Sequence, residues 1–218
     1  MSLIVREFES LPYAAGLALQ EELVARKLAG DHDDYLLVLE HEAVFTLGRG
    51  ADARDLRGAD VALGVEAVRV SRGGGVTFHG PGQLVAYPII ALDRGARDVR
   101  RYVWRLEQVL IGVCGDFGIP GTRRDGLTGV WVEDAKIAAI GIGVRRWTTF
   151  HGVALNVSTE LRYFSRIVPC RQPNARVTSM AVERGAAPPM AAVRAAVVRQ
   201  FRAVFGYAAD VEVNIWPA

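Results

Sequence analysis

The segment from Ser71 to Gln83 constrains the fold more than any other stretch. It reads Ser71-Arg72-Gly73-Gly74-Gly75-Val76-Thr77-Phe78-His79-Gly80-Pro81-Gly82-Gln83, five glycines between two apolar runs at 67–71 and 84–91 that have the composition of strands. A phosphate-binding P-loop would continue as Gly-Lys-Ser/Thr, and a dinucleotide-binding turn would open a helix. Here a strand follows, so neither nucleotide fold is indicated. The segment is too long and too chemically mixed for a tight turn. Glycine lets a backbone adopt positive φ and approach a ligand closely, and bared amides in such a loop could receive an anion or an acyl carbonyl.

Hydrophobic periodicity supplies the rest of the architecture. A helix is expected over 12–30, with Ala15, Leu19 and Leu23 on one face and Gly30 as its stop. A second is expected over 98–118, with Asp98 as N-cap and Val99, Val103, Leu106, Leu110, Val113 and Phe117 at helical spacing. A third spans 188–206, with proline at its start and glycine at its end. Strands are expected at 35–40, 43–47, 67–71, 84–91, 150–157 and 210–215, with a hairpin formed by 128–133 and 136–144; residues 49–64 read as a polar connection. There is no repeat and no linker. The pattern predicts a single α/β domain of the α+β type over 1–218, with strands outnumbering helices. A length of 218 residues is sufficient for a sizeable core.

Composition narrows the function classes. Half the residues are apolar and 23% are charged, which argues against disorder, and a net charge of +2 does not suggest a nucleic-acid binder. The longest apolar run, 137–144, is far short of the ~20 residues of a membrane-spanning helix. No signal peptide is expected, and the two cysteines lie in unlike settings, so a soluble, cytoplasmic protein of a reducing compartment is predicted.

Three kinds of side chain could carry chemistry. Cys170 follows Pro169 and lies between Arg166 and Arg171, and neighbouring cations favour the reactive thiolate. Cys114, on the core side of the second expected helix, reads as an inert buried thiol. Of 26 basic residues only Lys27 and Lys136 are lysines. Arginine keeps its proton in a protein whereas lysine can exchange it, so a lysine retained in an arginine-using chain stands out. Lys27 is expected on the surface of the first helix; Lys136 begins a strand after the turn Glu133-Asp134-Ala135 and could equally be a solvated hairpin residue. His79 is the best-placed histidine, His41 and His151 could line a site or be merely hydrogen-bonded, and His32 reads as solvated. No histidine or cysteine spacing suits a metal, and none is expected.

Taken in order, several stretches resemble the octanoyltransferases of lipoate biosynthesis, the lipoate-protein ligase B family. They are Phe45-Thr46-Leu47-Gly48-Arg49, the residues from Arg72 to Ile89, those from Gly129 to Val144, the run Trp147 to Asn156, Phe164 to Cys170, and the step Thr178-Ser179-Met180. Together they cover roughly residues 35–180. Arg171-Gln172 stands where the family usually has Gly-Ile, and Phe78 where it often has tyrosine. The resemblance implies the biotin/lipoate protein ligase catalytic fold, a mixed, largely antiparallel sheet packed against helices with its core about 31–210, and a catalytic pair formed by Cys170 and Lys136. It implies an acyl-binding wall of Arg72, Gly73, Gly74, Gly75, Val76, Thr77, Phe78 and His79, facing Ala139, Ile140 and Gly141 and Gly152, Val153 and Ala154. Small residues there would leave an apolar slot for an alkyl chain. The implied reaction moves an octanoyl group from acyl carrier protein, which brings it on phosphopantetheine, to a lysine of a lipoyl domain through a cysteine thioester.

The further implied features are no cofactor, no membrane or nucleic-acid partner, a monomer, and as acceptors the lipoyl domains of 2-oxoacid dehydrogenases and the glycine cleavage H protein. Acidic carriers would favour a basic docking face, for which Arg100, Arg101, Arg105, Arg123, Arg124, Arg145 and Arg146 are candidates. The alternatives are an ATP-dependent lipoate or biotin ligase of the same fold, an amidotransferase between lipoyl domains, and a non-catalytic module gripping a phosphate.

Overall fold

The computed structural model describes residues 2–92, 97–168, 176–208 and 213–215. In chain order its elements are β1 (Leu3–Glu7), α1 (Tyr13–Leu28), β2 (Asp34–Leu39), β3 (Val44–Leu47), a 3-10 turn at Ala53–Leu56, α2 (Ala59–Leu63), β4 (Glu66–Arg69), β5 (Val76–His79), β6 (Gln83–Ile89), α3 (Val99–Asp116), β7 (Thr122–Arg124), β8 (Leu127–Val132), β9 (Ala135–Arg145), β10 (Thr148–Asn156), α4 (Arg162–Ser165), β11 (Arg176–Val177), α5 (Met180–Arg184), α6 (Met190–Phe205) and β12 (Val213–Ile215).

Strands buried along their whole length belong inside a sheet, and β2, β6 and β10 are buried at every residue. They lie at the centre of a large sheet in the order β12-β1-β2-β6-β10-β9-β8-β7. β12, β1 and β2 are parallel; the pairs from β2 through β6, β10, β9 and β8 to β7 are antiparallel. A smaller sheet, β4-β3-β5, stands beside it. This is the mixed, largely antiparallel architecture that the family resemblance implies.

Helices cover both faces. α3 and α6 pack on one face through a core that includes Leu106, Leu110, Val113, Val193, Val197 and Phe201. α1 covers the other with Leu23 and Val24 against Tyr35, Leu37, Val85 and Tyr87. The Asp98 carboxylate caps α3 by accepting from the amides of Arg100 and Arg101, and Gly206 ends α6 at φ +76°. No helix among the described residues is long and apolar enough to cross a membrane.

Three expectations are corrected. The buried face of α1 is Tyr13, Gly16, Gln20, Leu23, Val24 and Lys27, while Ala15 is exposed. Apolar spacing misplaces it because two of the inward residues are polar and find specific partners. Lys27 is one of them: it is buried, its Nζ 2.8 Å from the Asp34 carboxylate, which also accepts from the Tyr207 hydroxyl at 2.6 Å. The segment 71–83 is also not one loop. Its middle, Val76–His79, forms β5, antiparallel to β3 with Phe78 opposite Phe45.

Candidate active site

A cavity opens between the α1 face of β9 and β10 and the glycine-rich chain that leads into β5. Of the expected acyl-binding wall, Arg72, Gly74, Gly75, Val76, Thr77, His79, Ala139, Ile140, Gly141, Gly152, Val153 and Ala154 line it, and Lys136 stands among them. Two do not. The Gly73 amide donates to the Ile142 carbonyl at 2.8 Å, anchoring the loop on β9. The Phe78 ring faces away into the small sheet's core, stacked on Tyr163 at 4.1 Å and edge-on to Phe164. Tyr13, Gln83, Tyr87, His151, Asn156, Phe164 and Val177 complete the lining. Apart from His151, the residue patterns gave no sign of these.

Arg72 is the buried keystone. Its Nη2 donates to the Thr46 carbonyl at 2.7 Å and to Thr46 Oγ1 at 2.8 Å, and its Nη1 to the Gly73 carbonyl at 2.9 Å. The guanidinium therefore ties β3 of the small sheet to the glycine loop, which reaches the large sheet through Gly73. The glycines serve this close approach. A Cβ on Gly48 would lie 2.5 Å from the Gly74 carbonyl oxygen, and one on Gly141 would lie 2.9 Å from Arg72 Cδ. A Cβ on Gly152 would lie 2.2 Å from the Ala86 oxygen. Small residues at Gly141 and Gly152 are thus required by packing as well as by the open slot.

Burial holds His41, His79 and His151 neutral. Burial pushes the His79 pKa down to about 3, helped by His41 and Arg72, and its two ring nitrogens meet Gln83 Oε1 at 2.8 Å and Thr46 Oγ1 at 3.3 Å. His79 is therefore a hydrogen-bonded wall residue rather than a proton carrier. Burial also lowers His41 to about 4; its ring joins the Leu11 carbonyl and the Tyr87 hydroxyl. Burial, with Arg72 nearby, lowers His151 to about 4. His151 sits within β10 at φ +55°, its amide donating to Gln20 Oε1 at 2.7 Å. Burial raises the Tyr13 phenol to about 12.

Lys136 lies near the start of β9. Its Nζ donates to the Thr128 carbonyl at 3.2 Å and sits 4.6 Å from the centre of the Trp131 ring. Beyond Ala138 the edge of β9 pairs with β10, while at Ala135 and Lys136 it pairs with β11, Val177 opposite Lys136. Cys170 lies outside the described residues. Before it, the Val168 amide donates to the Asp55 carbonyl at 2.8 Å, and the chain is next described at Arg176, the first residue of β11. Cys114 is the inert thiol expected, fully buried, with burial raising its pKa to about 12.

The candidate docking arginines are dispersed. Arg100, Arg101 and Arg105 lie on α3, whose sheet face is opposite that of α1 and the cavity. Arg123 is held by Glu107 at 3.0 Å and by the Trp104 carbonyl at 2.9 Å, and Arg124 bonds the Asp134 carbonyl. Arg145 and Arg146 stand at the β9–β10 turn.

A buried apolar slot with one lysine and one clamped arginine suits an acyl chain with a reacting carbonyl. The sequence profile of the lipoyl protein ligase A/B catalytic domain matches residues 12–202. The octanoyltransferase of Geobacter metallireducens is 44% identical over 199 residues, 91% of this chain and 92% of that protein. The chain belongs to the octanoyltransferase family. The octanoyltransferase of Solibacter usitatus is 49% identical over 180 residues, 81% of each chain. Among solved structures, lipoate-protein ligase A bound with ATP superposes with a TM-score of 0.80 at 18% identity, over 99% of this chain and 90% of that one, a likeness of fold.

Proposed function

We propose that this octanoyltransferase moves an octanoyl group from acyl carrier protein to a lysine of a lipoyl domain, through a thioester on Cys170. The observation that carries this reading is the slot formed by Ala139, Gly141, Gly152 and Ala154, which shares one cavity with Lys136. Neutral rings and apolar strands suit the alkyl chain. Lys136 supplies a cation that can also give up a proton.

In the first half-reaction the Cys170 thiolate attacks the carbonyl carbon of the incoming thioester. The new C–S bond forms as the bond to phosphopantetheine breaks, and the leaving sulfur takes a proton from the Lys136 ammonium. In the second, the acceptor lysine attacks the acyl-enzyme, its C–N bond forming as the bond to Cys170 breaks. Its surplus proton passes to the Lys136 amine, which restores the starting ammonium and thiolate. The donor thioester is already activated, so no ATP and no cofactor enter the scheme. A thiol nucleophile suits a reducing compartment, and we place the enzyme in the cytoplasm as a single-domain monomer. Its acceptors are lipoyl domains such as those of 2-oxoacid dehydrogenases and the glycine cleavage H protein.

Intact mass after mixing with octanoyl carrier protein tests this directly. An octanoyl adduct is expected on the wild-type chain and not on Cys170→Ser. Lys136→Arg keeps the charge but cannot exchange the proton, and is expected to reduce transfer to a lipoyl domain by about 10²-fold or more. Near-normal turnover of Lys136→Arg, or an adduct surviving Cys170→Ser, would sink the corresponding role. Product formed from free octanoate only when ATP is added would instead place the chain with the ligases.

A further inference from the structure

We propose that Asn156, oriented by Gln83, is a positioning residue that registers Arg176–Thr178, the next residues described after Cys170, against Lys136; this rests on the cysteine–lysine reading above. Gln83 and Asn156 are 1% and 4% exposed, and both face the cavity. The direction of every hydrogen bond between them is fixed by two backbone carbonyls, which can only accept. Gln83 Nε2 lies 3.1 Å from the Phe78 oxygen and Asn156 Nδ2 lies 3.0 Å from the Thr178 oxygen, so both amide nitrogens are placed. Gln83 Nε2 then also donates to Asn156 Oδ1 at 2.9 Å, and Gln83 Oε1 is left to accept from His79 Nδ1 at 2.8 Å. The Thr178 amide in turn donates to the Lys136 carbonyl at 3.0 Å. One oriented chain therefore runs from His79 through Gln83 and Asn156 to Thr178 and back to the main chain of Lys136.

Its place in the sheet gives it a task. β10 ends at Asn156, and β11 takes over the same edge of β9. β11 has only two residues, far below the usual strand length of about five to six, so its ladder alone does not hold it in register. The Asn156 amide fastens the residue just beyond it. A misplacement of about 1 Å between reacting groups can cost about 10²-fold in rate, so the tether acts on turnover without touching substrate chemistry. The network also joins three separate parts of the chain, at Gln83, Asn156 and Thr178.

The test is the pH dependence of Cys170 alkylation by iodoacetamide, followed on its own peptide by mass. Asn156→Asp keeps the shape but puts an oxygen where the donor faced the Thr178 carbonyl; Asn156→Ala removes the tether without adding charge and serves if the first variant is unstable. Wild type is expected to titrate below the ordinary thiol value of about 8.5. In the Asn156 variants the midpoint should rise towards that value, with kcat down by about 10²-fold and KM for octanoyl carrier protein changed less than about twofold. Variants that melt lower but keep the wild-type midpoint and kcat would overturn the positioning role. A wild-type midpoint that is ordinary and unmoved by Lys136→Met would overturn the cysteine–lysine pair itself, and this role with it.

Discussion

His151 occupies the left-handed region at φ +55° in the middle of a strand, a conformation that costs a residue with a Cβ roughly 1–2 kcal/mol. Its amide is met by Gln20, whose own Nε2 donates back to the Gly16 carbonyl at 3.2 Å. One helix side chain thus replaces the missing ladder bond. Gln20→Leu leaves that buried amide unpaired and is expected to lower stability by about 1–3 kcal/mol in urea unfolding; a change within about 0.5 kcal/mol would mean the kink does not depend on Gln20. No periodicity could have announced this, because glutamine at a buried helical position looks like an error in the apolar stripe. Rarity was a sharper guide and an incomplete one. It marked both lysines, yet Lys136 faces the cavity whereas Lys27 is buried on Asp34. A count of residue types cannot tell the two environments apart. Asn156 and Gln83 were silent in the sequence for a related reason: a buried amide is defined by its partners, and these come from chain positions far away.

At the scale of elements, close approach between backbones limits what the sheet tolerates. Gly152→Ala would place a Cβ 2.2 Å from the Ala86 oxygen and 2.8 Å from Pro88 Cδ, forcing β10 and β6 apart. Destabilisation of about 1–3 kcal/mol or more is expected from such overpacking, together with loss of acyl transfer; a variant that melts and turns over like wild type would contradict the close approach. The elements that were legible are those long enough to repeat a pattern. α3 and α6 carry their stripes, caps and stop signals in sequence, and β2, β6, β9 and β10 are apolar runs bounded by turn residues. The missed ones are short or locally polar. β1 at Leu3–Glu7 is three apolar residues followed by two charges, β7 and β11 have three and two residues, and α2 follows a 3-10 turn capped by Asp52 inside a polar segment. β5 was hidden by the glycines on both sides of it. Such strands exist because a neighbour offers an edge, which is tertiary information.

For the whole molecule, three buried neutral histidines couple stability to acidity. His41, His79 and His151 are lowered by burial from the ordinary 6.5 to about 4, about 3 and about 4. Below pH 6.5 the unfolded chain binds protons that the native state refuses. Their stabilising contribution is therefore complete above that pH and is lost as pH falls through about 4, with a slope of up to about 1.4 kcal/mol per pH unit for each group. Urea unfolding at pH 7 and pH 5 checks this; equal stabilities would show that the three rings are not held neutral. The cavity that His79 and His151 border is drawn from Tyr13, residues between Arg72 and His79, β9, β10 and Val177, so its walls are gathered from widely separated parts of the sequence. Contacts of that kind close late in folding. On a ribosome, Lys136 and Cys170 would both have been synthesised while Val177 and the whole of α6 were still to come. The nascent chain would then hold the two groups proposed to react before the last wall residue, Val177, and the helix that covers the opposite face of the sheet were in place.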